Sequence, residues 1–160
     1  MKFHHIVEIN DPLNPLIDPL SRAQLWQGLL MRAELPKLFI PHLDDCELHW
    51  PTADTLSRVL HYGALRIRDE VRFLPQEQVI FQVPEQGDIP ASTLTMTIEE
   101  PQPGVLIVRF DYDSQDAGAE SSMDAFYNSF RRSAYEEADI DTIRIIRQLA
   151  GQGRLDQLLF

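Results

Sequence analysis

The chain has 160 residues, 44% apolar and 24% charged, with a net charge of −11 and a pI near 4.7. This length suits one domain with its own core, so a single domain over residues 1–160 is expected. The acidic surface repels phosphate backbones and anionic headgroups, which removes nucleic acid from the expected partners, and no run approaches the roughly 20 apolar residues needed for membrane insertion.

Residues 3–10 read as a strand, which Asp11, Pro12, Asn14, Pro15, Asp18 and Pro19 bring to an end. The opening stretch Met1–His5 carries no signal-peptide apolar region. Cys46 is the one cysteine, so no internal disulfide can form, and a reducing, cytoplasmic setting is expected. Ser21 can cap a helix running to about Leu35, with Gln24 at the capping-box spacing and Leu25, Leu29 and Arg32–Ala33 along one side. Pro36 and Pro41 bracket a short helical turn, Lys37 to Ile40.

The period then changes from helical to two. Residues 45–50, 55–62, 65–73, 78–83, 92–99 and 105–112 read as strands, separated by short turns rich in Gly, Pro and Asp. Short links imply an antiparallel meander. Residues 113–121 form a polar loop, and a long helix follows from Ser122 to about Leu149, ending near Gly151 and Gly153. The expected class is α+β: about seven curved antiparallel strands wrapped around a long C-terminal helix, with two short helices after the first strand.

Gly63-Ala64 suits a two-residue loop with glycine first, and that fixes a register. Tyr62 pairs with Leu65, Leu60 with Ile67, Arg58 with Asp69 and Leu56 with Val71, all on one face. That face is apolar except for Arg58 and Asp69. Similar alternation points Val79, Phe81 and Val83 inward, and sets Leu94, Met96 and Ile98 opposite Phe110, Val108 and Leu106. Phe3, His5, Val7 and Ile9 share the inner face of the first strand, as do Cys46, Leu48 and Trp50 in the second. On the last helix, Met123, Phe126, Tyr127, Phe130, Ala134, Ala138, Ile145 and Leu149 form a broad apolar stripe. The alanines leave room for a cavity, or for close helix–sheet contact.

Several stretches carry a family resemblance: F-H-H-I-V-E-I-N-D (3–11), L-W-Q-G-L (25–29), Y-G-x-L-x-I-R-D-x-V-x-F (62–73), T-M-T-I-E-E-P (95–101) and S-A-Y-E-E-A-D-I-D-T-I-R (133–144). With the order of elements they resemble the helix-grip fold of the SRPBCC superfamily and, within it, the AtaL-like branch. That superfamily includes START lipid-transfer domains, birch-pollen-allergen-like proteins and polyketide aromatase/cyclases. The resemblance implies a fold with an internal cavity; fold alone carries no reaction across.

The sharpest candidates are Arg58 and Asp69, either as a cavity-wall ion pair that orients the polar end of a ligand or as a structural cross-strand pair. His5 is a candidate general base, or a core histidine bonded to a backbone carbonyl. Arg58, Asp69 and His5 are the candidate catalytic residues. The expected ligand lining adds Leu60, Tyr62, Ile67, Val71 and Phe81 from the middle strands, and Met96, Val108 and Phe110 from the later ones. Phe126, Tyr127, Phe130 and Ala134 complete it from the helix. Glu137 and Asp141 could do acid–base work, but Arg144 and Arg132 suit a self-paired charged flank over Glu136–Asp141. Cys46 reads as an inert inward thiol. The histidines show no metal-ligand spacing, and neither a metal nor a cofactor is expected.

Three functions compete: a module binding a small-to-medium hydrophobic molecule (lipid, polyketide-like or aromatic), a cyclase, dehydratase or isomerase using the same cavity, and a ligand-free interaction domain that could form a homodimer.

Overall fold

The structure is a computed structural model that describes residues 1–115 and 122–156. The expected polar loop at 113–121 falls mostly outside the described residues, as does the side chain of Met123. Strand β1 (Lys2–Asn10) leads to helix α1 (Arg22–Glu34) and one turn of 3-10 helix at Pro36–Leu38. Six strands follow: β2 (Asp45–Thr52), β3 (Thr55–Tyr62), β4 (Leu65–Leu74), β5 (Gln78–Val83), β6 (Ser92–Gln102) and β7 (Val105–Ser114). Helix α2 (Ser122–Gly151) closes the order. All seven strands form one antiparallel sheet in the order β1-β7-β6-β5-β4-β3-β2, a meander whose first strand returns to pair with its last. Among the described residues, no helix is long and apolar enough to cross a membrane.

Local chemistry explains the boundaries. Ser21 Oγ accepts from Gln24 N at 3.0 Å, and Gln24 Oε1 accepts from Ser21 N at 2.9 Å, a reciprocal cap on α1. The Asn10 side chain holds Leu20 through both its amide atoms, at 2.7 and 2.9 Å, so the Pro-rich segment leaves and re-enters the fold at one place. Gly63 takes φ +59° at the β3–β4 turn, and the expected pairs Tyr62–Leu65, Leu60–Ile67, Arg58–Asp69 and Leu56–Val71 all form. Past α2, Gly153 (φ +72°) sends its N–H to Ala150 O, and Arg154 N reaches Leu149 O, which satisfies the last carbonyls.

The β6–β7 register differs from expectation by two residues: Leu94 pairs with Tyr112, Met96 with Phe110 and Ile98 with Val108. These strands run on to a tight turn where Gly104 takes φ +83°, with an irregularity between Glu99 and Gln102. A shift of two keeps every side chain on its face, so the inward set is unchanged. Strand β2 is a second departure. Cys46 and Leu48 do face the side of Leu60 and Arg58, but this edge strand lies beyond helical cover, leaving Cys46 half-buried and Leu48 and Trp50 exposed.

Helix α2 is the main correction. Its buried stripe is Asp139, Thr142, Ile143, Ile146 and Leu149. Phe126 (74% exposed), Tyr127, Phe130 (66%) and Ala134 point to solvent, so the four helical residues expected in the ligand lining are not in it. The expected stripe advanced by fours, and at 3.6 residues per turn each such step precesses by about 40°. From Phe126 to Ala138 that drift carries the row roughly a third of the way around the helix. The observed stripe mixes threes and fours and therefore stays on one side.

The helix is seated by α1. A Cβ on Gly28 would lie 2.5 Å from Ile146 Cγ2, so only glycine permits this approach. Arg147 fastens the same region, donating through Nη1 to Asp18 O at 2.9 Å and through Nη2 to Ile9 O. Val71, Met96, Val108 and Phe110 are fully buried in the core around these elements.

Candidate functional site

A cavity of about 230 Å³ lies on the inner face of the sheet, bounded by α1 and α2. Leu60, Phe81 and Leu94 supply its apolar wall, and Arg32, Arg58, Asp69, Tyr112, Arg131 and Tyr135 its polar part. Of the expected lining, Arg58, Leu60, Asp69 and Phe81 border the cavity. Val71, Met96, Val108 and Phe110 lie in the surrounding core, while Tyr62 and Ile67 are half-buried off its edge.

Arg58 and Asp69 sit opposite each other on β3 and β4, at 3% and 8% exposure. Their contact is bidentate: Nε to Oδ1 at 2.8 Å and Nη2 to Oδ2 at 2.5 Å. The remaining Nη1 donates to Ala33 O at 3.0 Å, at the end of α1. The pair therefore locks α1 to the sheet, with its donors turned toward protein atoms. The guanidinium also lies 5.1 Å from the Phe81 ring centre.

A second polar cluster is deeper. Asp139 on α2 is 1% exposed and accepts from Tyr112 Oη at 2.8 and 2.6 Å, while His5 Nε2 lies 2.6 Å from its Oδ2. Register explains the meeting: His5 pairs with Phe110 on β7, which leaves Tyr112 one inward step away. His5 stacks on Phe110, and Tyr112 stacks on Tyr135 with ring centres 4.3 Å apart. Burial pushes the Asp139 carboxyl above its ordinary range, opposed by the hydrogen bonds from Tyr112 and His5. Burial and the adjacent carboxylate push the Tyr112 phenol up. His5 thus binds a carboxylate, where a backbone carbonyl was expected.

Asp139 falls within the run Glu136–Asp141, whose charges suit a solvated flank. Glu137 and Asp141 are exposed, and Arg144 Nε meets Asp141 Oδ1 at 3.3 Å, but Asp139 belongs to the interior. The signal was present: Asp139 lies four before Ile143 and seven before Ile146, on their side of the helix. Arg32 likewise differs from its expected place, which is simply along the apolar side of α1. Its Nε is sealed from solvent, although the residue as a whole is partly exposed, and the guanidinium lies 5.5 Å from the Phe81 ring centre. Burial first, and Arg58 second, lower its pKa.

The larger depression, about 740 Å³, lies on the outer face among Glu47, His49, Ser57, Arg68, Glu70 and Gln82. Its lining mixes charged side chains with Leu48, Val59, Val83 and Pro84 and includes no helical residue, whereas the smaller inner cavity is walled by the sheet and by both helices and is more apolar in proportion. Among the described residues, no group of three His, Cys, Asp or Glu side chains is placed to hold a metal ion.

A curved antiparallel sheet holding a C-terminal helix over an inner cavity defines a helix-grip protein of the SRPBCC superfamily. Residues 7–153 match the family described as acetylaranotin biosynthesis cluster protein L, and the chain belongs to this AtaL family. No curated protein matches the sequence. Among solved structures, the di-domain aromatase/cyclase BexL from the BE-7585A biosynthetic pathway is similar at TM-score 0.64 and 15% identity, over 92% of this chain and 49% of that one. The chain thus spans about half of BexL. The ZhuI aromatase/cyclase from Streptomyces sp. R1128 gives TM-score 0.61 at 12% identity, over 95% and 94% of the two chains. Ara h 8.0201 gives 0.52 at 9%, over 92% and 99%.

Proposed function

We propose that the cavity beneath α2 binds a small, mainly apolar molecule with one polar end. The observation that carries this reading is a wall of Leu60, Phe81 and Leu94 interrupted on one side by arginines and tyrosines. Size narrows the class. At about 30 Å³ per molecule, 230 Å³ holds roughly eight waters. That suits an aromatic or compact polyketide-like compound and is too little for an extended lipid chain. Native mass spectrometry of the protein purified from its host is expected to show a bound mass that Leu94→Trp, which fills the cavity, removes. No adduct on the wild type, together with no thermal shift from a panel of small aromatic compounds, would overturn the reading.

A second reading, an acid–base enzyme of cyclase or dehydratase type, is favoured by one observation: Tyr112 borders the cavity and its hydroxyl is bonded to Asp139. On this reading Tyr112 delivers or accepts the proton and Asp139 with His5 supports the change in charge. Arg58 and Asp69 act as a rigid frame, since each already holds the other. Tyr112→Phe should then abolish turnover of any substrate found while leaving its binding intact; equal turnover would rule the role out. The interaction-domain reading has the exposed row Phe126, Tyr127 and Phe130 in its favour, and light scattering tests for a homodimer.

A further inference from the structure

We propose that Arg32 anchors an anionic group, so that the cavity's ligand is a small organic acid with its carboxylate on this guanidinium and its apolar body against Leu60 and Leu94. The inference rests on the cavity reading above and specifies its polar end.

Of the arginines that border the cavity, Arg32 and Arg58 both lie over the Phe81 ring, and their states differ. Arg58 comes from the sheet, and each of its three nitrogens already donates, to Asp69 or to Ala33 O. Arg32 comes from the last turn of α1, and its Nε is sealed from solvent with no hydrogen-bond partner among the described residues. No carboxylate among them forms an ion pair with it. Asp139, the acid whose field reaches it from α2, has its oxygens engaged by Tyr112 and His5. Burying a charged donor without an acceptor is costly, and folds retain such a group where something else requires it.

The surroundings favour an anion. Arg32 and Arg58 both lie over the Phe81 ring, at 5.5 and 5.1 Å, so two cations share one wall and repel each other. Arg58 and Asp69 offset each other, so Arg32 adds a further cation to this wall. A carboxylate at the Nη groups, which are not sealed as Nε is, would offset the repulsion, and a planar guanidinium matches its two oxygens.

The test is a matched pair of probes, 1-naphthoate and its uncharged isostere 1-naphthamide, titrated calorimetrically into wild type, Arg32→Gln and Arg32→Lys. The wild type is expected to prefer the acid about tenfold or more. Arg32→Gln should abolish that preference while still binding the amide, and Arg32→Lys should keep part of it. Thermal melting separates the roles further: with an orphan charge removed, Arg32→Gln should melt at or above the wild type, whereas a melting point several degrees lower would mark a structural residue and overturn the proposal. Equal binding of both probes by the wild type would overturn the anion assignment while leaving the cavity reading standing. An acid preference that survives in Arg32→Gln would take the assignment away from Arg32. Failure of both probes to bind would overturn the cavity reading, and this inference with it.

Discussion

Two buried polar groups share the inner face of the sheet, and they are assembled in different ways. Arg58 and Asp69 are 11 residues apart, joined by one tight turn whose glycine sets their register. Asp139 is 134 residues from His5 and 27 from Tyr112, and reaches them only because α2 docks in one rotational setting. The first group is a product of local chain geometry, and the second of tertiary packing. A hairpin pair survives errors elsewhere in the fold, whereas a helix rotated by one residue removes Asp139 from its partners.

The comparison breaks most sharply at the hairpin. Asp69→Ala leaves the Arg58 guanidinium buried without its carboxylate, and urea unfolding should show a loss of about 3–5 kcal/mol. Replacing both residues with leucine and methionine should recover most of it; equal loss in the double variant would mean that volume, not charge, dominates there. At the second group, Tyr112→Phe deletes a charge-assisted hydrogen bond and should cost about 1.5–3 kcal/mol. A double-mutant cycle with Asp139→Asn should show strong coupling, and additive losses would mean that the helix docks otherwise.

The seat of the helix gives a third lever. Gly28→Ala places a methyl group against Ile146 and should destabilise by about 1–3 kcal/mol, with coupling to Ile146→Ala in the same unfolding assay. A pH effect follows from Asp139. Burial raises its carboxyl above the ordinary 3.8, so the folded chain keeps that proton where the unfolded chain has released it. The associated stability is full below the unfolded value and is lost as pH rises through the folded one. Measured by urea unfolding, the wild type should therefore lose ground to Asp139→Asn as pH climbs toward neutrality. The smallest effect belongs to the outer side of the helix, where Phe130→Ser should stay within about 0.5 kcal/mol.

What was legible in the sequence divides along the same line. Alternation and Gly63 placed the strands and the Arg58–Asp69 pair, because period two and turn chemistry are local constraints. The Ser21 cap was readable for the same reason. The setting of α2 was not, since its sequence offers apolar residues on more than one side, and what decides between them is the contact of Gly28 with Ile146, far apart in the chain. Asp139 was hidden by its acidic neighbours, and Arg32 by the expectation that a charge beside an apolar row reaches solvent.

Arg147 has a dynamic consequence. By holding Ile9 O and Asp18 O it fastens α2 near its C-terminal end, where Ile143, Ile146 and Leu149 are also buried, whereas the turns carrying Phe126 and Phe130 have exposed side chains. Amide hydrogen exchange along α2 should therefore be graded, slowest around Ile146 and fastest toward Phe126. Arg131 and Tyr135 border the cavity on the fast-exchanging side. Brief unwinding of that stretch would admit a ligand without disturbing the core, so the rate of ligand entry should track local opening of α2 and be insensitive to global stability.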